Sequence, residues 1–138
     1  MPLFDASSIQ AATRRLRADA AQVLEGQTVL DLTLYELGNI VWKENRETGG
    51  DPGKAAEKAG AVTRLTSIMN IRRIEPGDLP AIAMNAAAYG LTFYDSAYLT
   101  AAQVASTTLV TEDAGLLRAA KDAGIMVTPL EQHLKTAS

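Results

Sequence analysis

Five short apolar runs alternate along this chain with longer helical patterns, and that alternation limits the folds open to it. The runs are Met1–Phe4, Thr28–Leu32, Ile71–Ile74, Thr107–Thr111 and Ile125–Thr128, and each reads as a strand bounded by turn or cap residues. Between them apolar residues recur at three- and four-residue intervals. Ile9, Ala12, Leu16, Ala20, Val23 and Leu24 form one stripe, and Ala59, Val62, Leu65, Thr66 and Met69 form another. Strands alternating with helices predict an α/β/α sandwich with a central parallel sheet of about five strands.

Local signals predict where these elements end. One helix is expected from the Asp5-Ala6-Ser7-Ser8 cap region to Gly26, and a second from Leu34 to Glu47. Gly49-Gly50-Asp51-Pro52-Gly53 breaks the second helix and reads as a turn between helices, since neither side would form a core alone. Further helices are expected over Ala55–Asn70, from a cap at Asp78 to Tyr89-Gly90, over Ser96–Ala105 and over Ala114–Ala123. Residues 1–138 are expected to form a single domain, which at this length buries roughly 68% of its unfolded surface.

Composition excludes several classes of function. Hydrophobic residues make up 47% and charged residues 21%, which is globular rather than disordered. Cys is absent, so disulfides and thiolate metal sites are impossible, in keeping with a reducing, cytoplasmic setting. The N-terminus lacks the pattern of a signal peptide, and no apolar run approaches the roughly 18 residues of a membrane helix. A net charge of −3 provides no global attraction for nucleic acid, so a polyanion would have to meet a local basic rim.

Four acids draw attention by position. Asp5 and Asp113 follow predicted strands, Glu36 falls in the first turn of the helix after the second strand, and Asp95 opens an Ala-rich helix. In parallel sheets ligands bind beyond the carboxyl ends of the strands, at the switch in strand order. Each acid also has a plain structural role open to it. Asp5, Asp95 and Asp113 stand where Asp commonly caps a helix, worth about 1 kcal/mol each. Thr33-Leu34-Tyr35-Glu36 matches a capping box. Capping does not explain why four such acids fall on one edge, where they would repel one another without a cation. An all-oxygen set suits Mg²⁺ or Mn²⁺. His133, the single histidine, is expected to face solvent in the C-terminal tail.

The order of motifs resembles a PIN domain, and among PIN domains the VapC-type toxin ribonucleases of type II toxin–antitoxin systems. The resemblance is carried by Asp5 in LFDASS, Glu36 in LTLYELGNIVWKE, Asp95 in FYDSAYLTAA and Asp113 in LVTEDAGLLRAA, and it spans nearly the whole chain. It implies a PIN-like fold in which these four acids are catalytic and hold one or two divalent cations, Mg²⁺ or Mn²⁺. Ser7 and Thr111 match positions that support such a site with hydroxyls, and Asn39 one that flanks the glutamate. The lead-in to Asp5 is short and contains Pro2, a departure that a strand's first residues tolerate.

The implied reaction is metal-dependent endonucleolytic hydrolysis of RNA. Arg14, Arg15 and Arg17 on the first helix, Lys43 and Arg46 on the second, and Arg72 and Arg73 are the cations available for an RNA-binding rim, although surface Arg and Lys also serve solubility. A VapB-type antitoxin partner and a homodimer are further family expectations. Two other classes compete. A catalytically silent PIN-like module binding RNA or protein would have no need of all four acids. A phosphatase of the kind that gathers Asp at strand ends would want a second acid where Ser7 stands, and a receiver domain an early acidic pair and a late Lys.

Overall fold

The computed structural model describes residues 1–137. Its strands are β1 (Leu3–Phe4), β2 (Thr28–Leu30), β3 (Asn70–Arg72), β4 (Leu109–Val110) and β5 (Val127–Thr128). They form one sheet in the order β3-β2-β1-β4-β5, and every neighbouring pair is parallel. Strand order reverses between β1 and β4, so the residues following these two strands, Asp5 and Thr111, come out side by side. The expected five-stranded α/β/α architecture is present.

Side-chain alternation along the strands sorts the core into two layers. Leu3, Leu30 and Leu109 point to one face, where they pack with Ile82 of α5 (Leu79–Tyr89), Tyr98 and Leu99 of α6 (Phe93–Ala105) and Leu116 of α7 (Ala114–Asp122). Phe4, Val29 and Val110 point to the other, against Ile9 of α1 (Ala6–Leu16), Leu24 of α2 (Ala20–Leu24), Leu37 of α3 (Asp31–Glu47) and Leu130 of α8 (Leu130–Ala137). The remaining helix, α4 (Pro52–Thr66), packs on α3 and adds Val62 and Leu65 to the second layer. Leu32 at the start of α3 packs with the first layer and Leu37 with the second, so α3 crosses the carboxyl edge of the sheet. That crossing carries Glu36 to the edge where Asp5 emerges.

Several sequence expectations need correction. The first helix does not run unbroken to Gly26: Arg17 takes φ 48°, and a 3-10 turn over Arg17–Asp19 separates α1 from α2. The second strand ends at Leu30, and α3 begins at Asp31 rather than Leu34. Asp31 reads as strand in TVLDL, but its carboxylate accepts from the amides of Leu32 (2.9 Å) and Ile74 (3.2 Å), which ties the helix start to the exit of β3. Asp78 does not cap α5; its carboxylate turns back to the Glu75 amide at 2.8 Å, closing a 3-10 turn. A final helix, α8, was not expected. It buries Leu130 and brings His133 edge-on against Phe4 (ring centroids 5.3 Å apart), so His133 is half-buried rather than solvent-facing.

Candidate active site

Asp5 is the buried anchor of the acid cluster, 5% exposed. Its Oδ1 accepts from the Ser7 hydroxyl (2.7 Å) and the Ser8 amide (2.9 Å), and its Oδ2 accepts from the Thr111 hydroxyl. The Ser8 contact is a helix cap, so Asp5 does cap α1. The two hydroxyls are themselves oriented by the loop after β4. The Glu112 amide donates to Ser7 Oγ at 3.0 Å, and the Asp113 amide donates to Thr111 Oγ1 at 3.1 Å. Each backbone N–H thus polarises a hydroxyl that donates to Asp5. A carboxylate offers about four acceptor sites, so with three used, Oδ2 keeps one for a ligand.

Glu36 is held by two residues that sequence reasoning missed. Tyr98 of α6 donates its phenolic proton to Glu36 Oε1. Thr33 Oγ1 lies 2.7 Å from Tyr98 Oη, and since Tyr98 has spent its one proton on Glu36, Thr33 is the donor there. Thr33 and Tyr98 are 0% and 1% exposed. The capping-box reading of Thr33 and Glu36 fails for the same reason: both lie inside α3, whose cap is Leu30, and Thr33 points into the protein. Glu36 sits in the second turn, not the first. Its Oε2 has no hydrogen-bond partner among the described residues.

Asp95 is not a cap either. The hydroxyl of Thr92 caps α6 by accepting from the Asp95 amide at 3.1 Å, which places Asp95 in the first turn with its carboxylate released from capping. Asp113 does cap α7, accepting from the Leu116 amide at 2.8 Å through Oδ2. Its Oδ1 is free of hydrogen bonds among the described residues.

Electrostatics tie the four together. Burial pushes the Asp5 carboxyl above its ordinary value, against the lowering effect of Thr111, Ser7 and Ser8. Glu36 is pushed up first by burial, against the Tyr98 bond, and further by the charges of Asp5 and Asp95. Asp95 is pushed up by burial and then by Asp113 and Asp5. None of the four forms an ion pair with a basic side chain among the described residues. The chemistry of this donor set, hard oxygens in mutual repulsion with no imidazole or thiolate, fits Mg²⁺ or Mn²⁺. The carboxylates do not close on one point as they stand: among the described residues no group of three or more acids or histidines forms a finished ligand cage.

The other expected residues are spread more widely. Ser7 and Thr111 contact Asp5 directly, as described, while Asn39 is exposed one turn beyond Glu36. Arg14 is nine residues along α1 from Asp5, about 13 Å of helix rise, and it pairs with Glu44 of α3 at 3.3 Å. Arg15 and Arg17 are exposed at the same far end of α1. Lys43 is exposed about 10 Å along α3 from Glu36, and Arg46 stacks over the Trp42 ring at 4.7 Å. Arg72 donates to the Ala101 carbonyl at 3.3 Å, and Arg73 is exposed. None of these cations pairs with Asp5, Glu36, Asp95 or Asp113 among the described residues. The signal for Tyr98 was present as spacing, since it follows Asp95 by three residues and shares its helix face. Its partner on α3 lies 62 residues away and was not legible.

No protein-family model matches the chain. It is 34% identical over 99 residues to a protein named exonuclease VapC9 from Pyrobaculum aerophilum, an alignment covering 72% of this chain and 71% of that protein. The crystal structure of PAE2754 from Pyrobaculum aerophilum matches with a TM-score of 0.80 at 30% identity, over 98% of this chain and 93% of that one. The crystal structure of FitAcB from Neisseria gonorrhoeae shares the fold, with a TM-score of 0.63 at 19% identity, over 92% of this chain and 96% of the other.

Proposed function

The chain belongs to the VapC-type PIN-domain family, and on that premise we propose that it is a nuclease of a toxin–antitoxin system that hydrolyses RNA phosphodiester bonds with the help of Mg²⁺ or Mn²⁺. The observation that carries this reading is the crowding of Asp5, Glu36, Asp95 and Asp113 at the switch point of the sheet. There the charges of Asp5 and Asp95 raise Glu36 and those of Asp113 and Asp5 raise Asp95, and no basic side chain pairs with any of the four among the described residues. Asp5, Asp95 and Asp113 would hold the cation, and Glu36 would join them directly or through water. The chemistry such a cation supplies when bound is acidification of water and compensation of charge on the phosphate.

The protein's own groups do the rest. Ser7 and Thr111 fix the rotamer of Asp5, leaving one lone pair of Oδ2 available. Glu36 presents Oε2 and is suited to orient the attacking water. Arg14, Arg15, Arg17, Lys43 and Arg46 would guide the RNA backbone from outside the acid cluster, with Asn39 flanking Glu36. The whole of residues 1–138 would act as one domain, because a single sheet draws on both ends of the described chain. A VapB-type antitoxin, a homodimeric assembly and a cytoplasmic site of action complete the proposal. Among the described residues no helix is long and apolar enough to cross a membrane.

We propose internal cleavage, although the relative bears the name exonuclease. A circular RNA and its linear form, incubated with Mg²⁺ or Mn²⁺, with chelator, and with Asp5→Asn, test this directly. Metal-dependent cutting of the circle, lost in Asp5→Asn, is the expected result. Cutting of the linear form alone would establish an exonuclease. RNA binding without cutting of either form would establish a silent binding module.

A further inference from the structure

Tyr98 is a fully buried tyrosine of the core whose phenolic oxygen reaches the acid cluster. It belongs to the first core layer, among Leu3, Leu30, Leu99 and Leu116, yet its phenolic oxygen bridges α6 to α3 at the sheet's carboxyl edge. A buried phenol needs a partner, and Tyr98 has two of defined polarity. Thr33 donates to it, and it donates to Glu36 Oε1. The proton order is set throughout: a carboxylate accepts only, so the phenol must donate, so the threonine must donate in turn. Asp95 stands one turn before Tyr98 on the same helix face, and Glu36 one turn after Thr33 on α3. Each bridging residue is therefore paired along its own helix with one of the acids.

We propose that Tyr98, oriented by Thr33, is a positioning residue that locks the Glu36 carboxylate so that Oε2 faces the other acids, and thereby sets the affinity of the cluster for a divalent cation. The proposal rests on the metal-dependent reading given above and adds a determinant that none of the four acids supplies. Without the bond Glu36 is a flexible side chain repelled by Asp5 and Asp95, and it relaxes outward to water. With it, Oε1 is committed to Tyr98 and Oε2 is left as the ligand atom. Hydrogen bonds that orient metal-binding carboxylates typically carry a 10–100-fold effect on affinity, roughly the size expected here.

The test is Mn²⁺ binding, followed by the electron paramagnetic resonance signal of free Mn²⁺, on the full chain without RNA. Wild type, Tyr98→Phe, Thr33→Val, Glu36→Gln and Tyr98→Phe/Glu36→Gln are compared. Phe preserves the packing and removes one oxygen, and Val does the same for Thr33. Tyr98→Phe is expected to weaken Mn²⁺ about 10-fold or more, with Thr33→Val moving in the same direction by less. In the Glu36→Gln background Tyr98→Phe should change affinity by less than about 2-fold, because the carboxylate it positions is gone. Wild-type Mn²⁺ affinity in folded Tyr98→Phe, with binding weakened in Glu36→Gln, overturns the proposal and leaves the nuclease reading intact. An equal loss from Tyr98→Phe in both backgrounds also overturns it. Absence of Mn²⁺ binding in the wild type overturns both. Should Tyr98→Phe fail to fold, Thr33→Val and its combination with Glu36→Gln decide by the same criteria.

Discussion

Replacing Thr111 by valine keeps the shape of a fully buried side chain and deletes one hydroxyl. That hydroxyl donates to Asp5 Oδ2 and accepts from the Asp113 amide at 3.1 Å. A hydrogen bond to a charged group contributes about 1.5–3 kcal/mol net. The Asp113 amide lies near the surface, where water replaces part of what it loses, so the expected destabilisation at neutral pH is about 2 kcal/mol. With a typical unfolding entropy per residue, that is a fall in Tm of about 7 °C for 138 residues. The effect should depend on pH. The folded Asp5 pKa lies above its ordinary 3.8, because burial outweighs the hydroxyls. Ionisation of Asp5 therefore opposes folding: its contribution to stability is whole below 3.8 and is lost as pH rises through the folded value. Thr111→Val removes a contact that favours the ionised form and raises the folded value further. The mutant's deficit should thus widen toward neutral pH and narrow near about pH 4. Thermal unfolding in chelator at the two pH values measures it. A deficit equal at both, or one under about 0.5 kcal/mol at neutral pH, would refute the assignment of this hydroxyl as a stabiliser of ionised Asp5.

Other consequences of the same cluster can be measured with simple assays. In chelator, Asp95→Asn should raise Tm at neutral pH by removing one of the repelling charges, and a lower Tm would mean that this carboxylate is structurally needed. Asp5, Glu36 and Asp95 are all raised above their ordinary values, so the metal-free protein should gain stability as pH falls from neutral toward those values. Millimolar Mg²⁺ should flatten that slope and raise the wild-type Tm. Unfolding curves followed by circular dichroism across pH would expose the opposite slope if the reasoning is wrong. Arg14→Ala breaks an exposed pair with Glu44 and should cost under about 1 kcal/mol in stability, while raising the KM for RNA and leaving kcat unchanged. An unchanged KM would remove Arg14 from the RNA rim.

Much of the fold was legible because its signals are local. Apolar runs and helical stripes lie within one element, and the turn residues between them act on their own neighbours. Boundaries were less legible where a distant partner decides them. Asp31 begins a helix because Ile74, 43 residues on, donates to its carboxylate. His133 is drawn from the expected solvent position by Phe4, at the other end of the chain. The break at Arg17 has no glycine or proline to announce it. Capping was read correctly for Asp5 and Asp113, whose carboxylates bond amides three residues ahead, and wrongly for Asp95 and Thr33. At Asp95 a neighbouring threonine takes the cap, and at Thr33 a tyrosine from another helix takes the hydroxyl.

By itself the sequence determined which residues carry charge, which segments are strands, and that four acids sit close to the carboxyl ends of those strands or the helix starts beyond them. Only the tertiary structure decided which of those acids are bound, by what, and through which oxygen. Periodicity reports the face a side chain takes on its own element. A hydrogen bond such as Thr33–Tyr98–Glu36 depends on how two elements cross, and that crossing is set by core packing on both faces of the sheet at once.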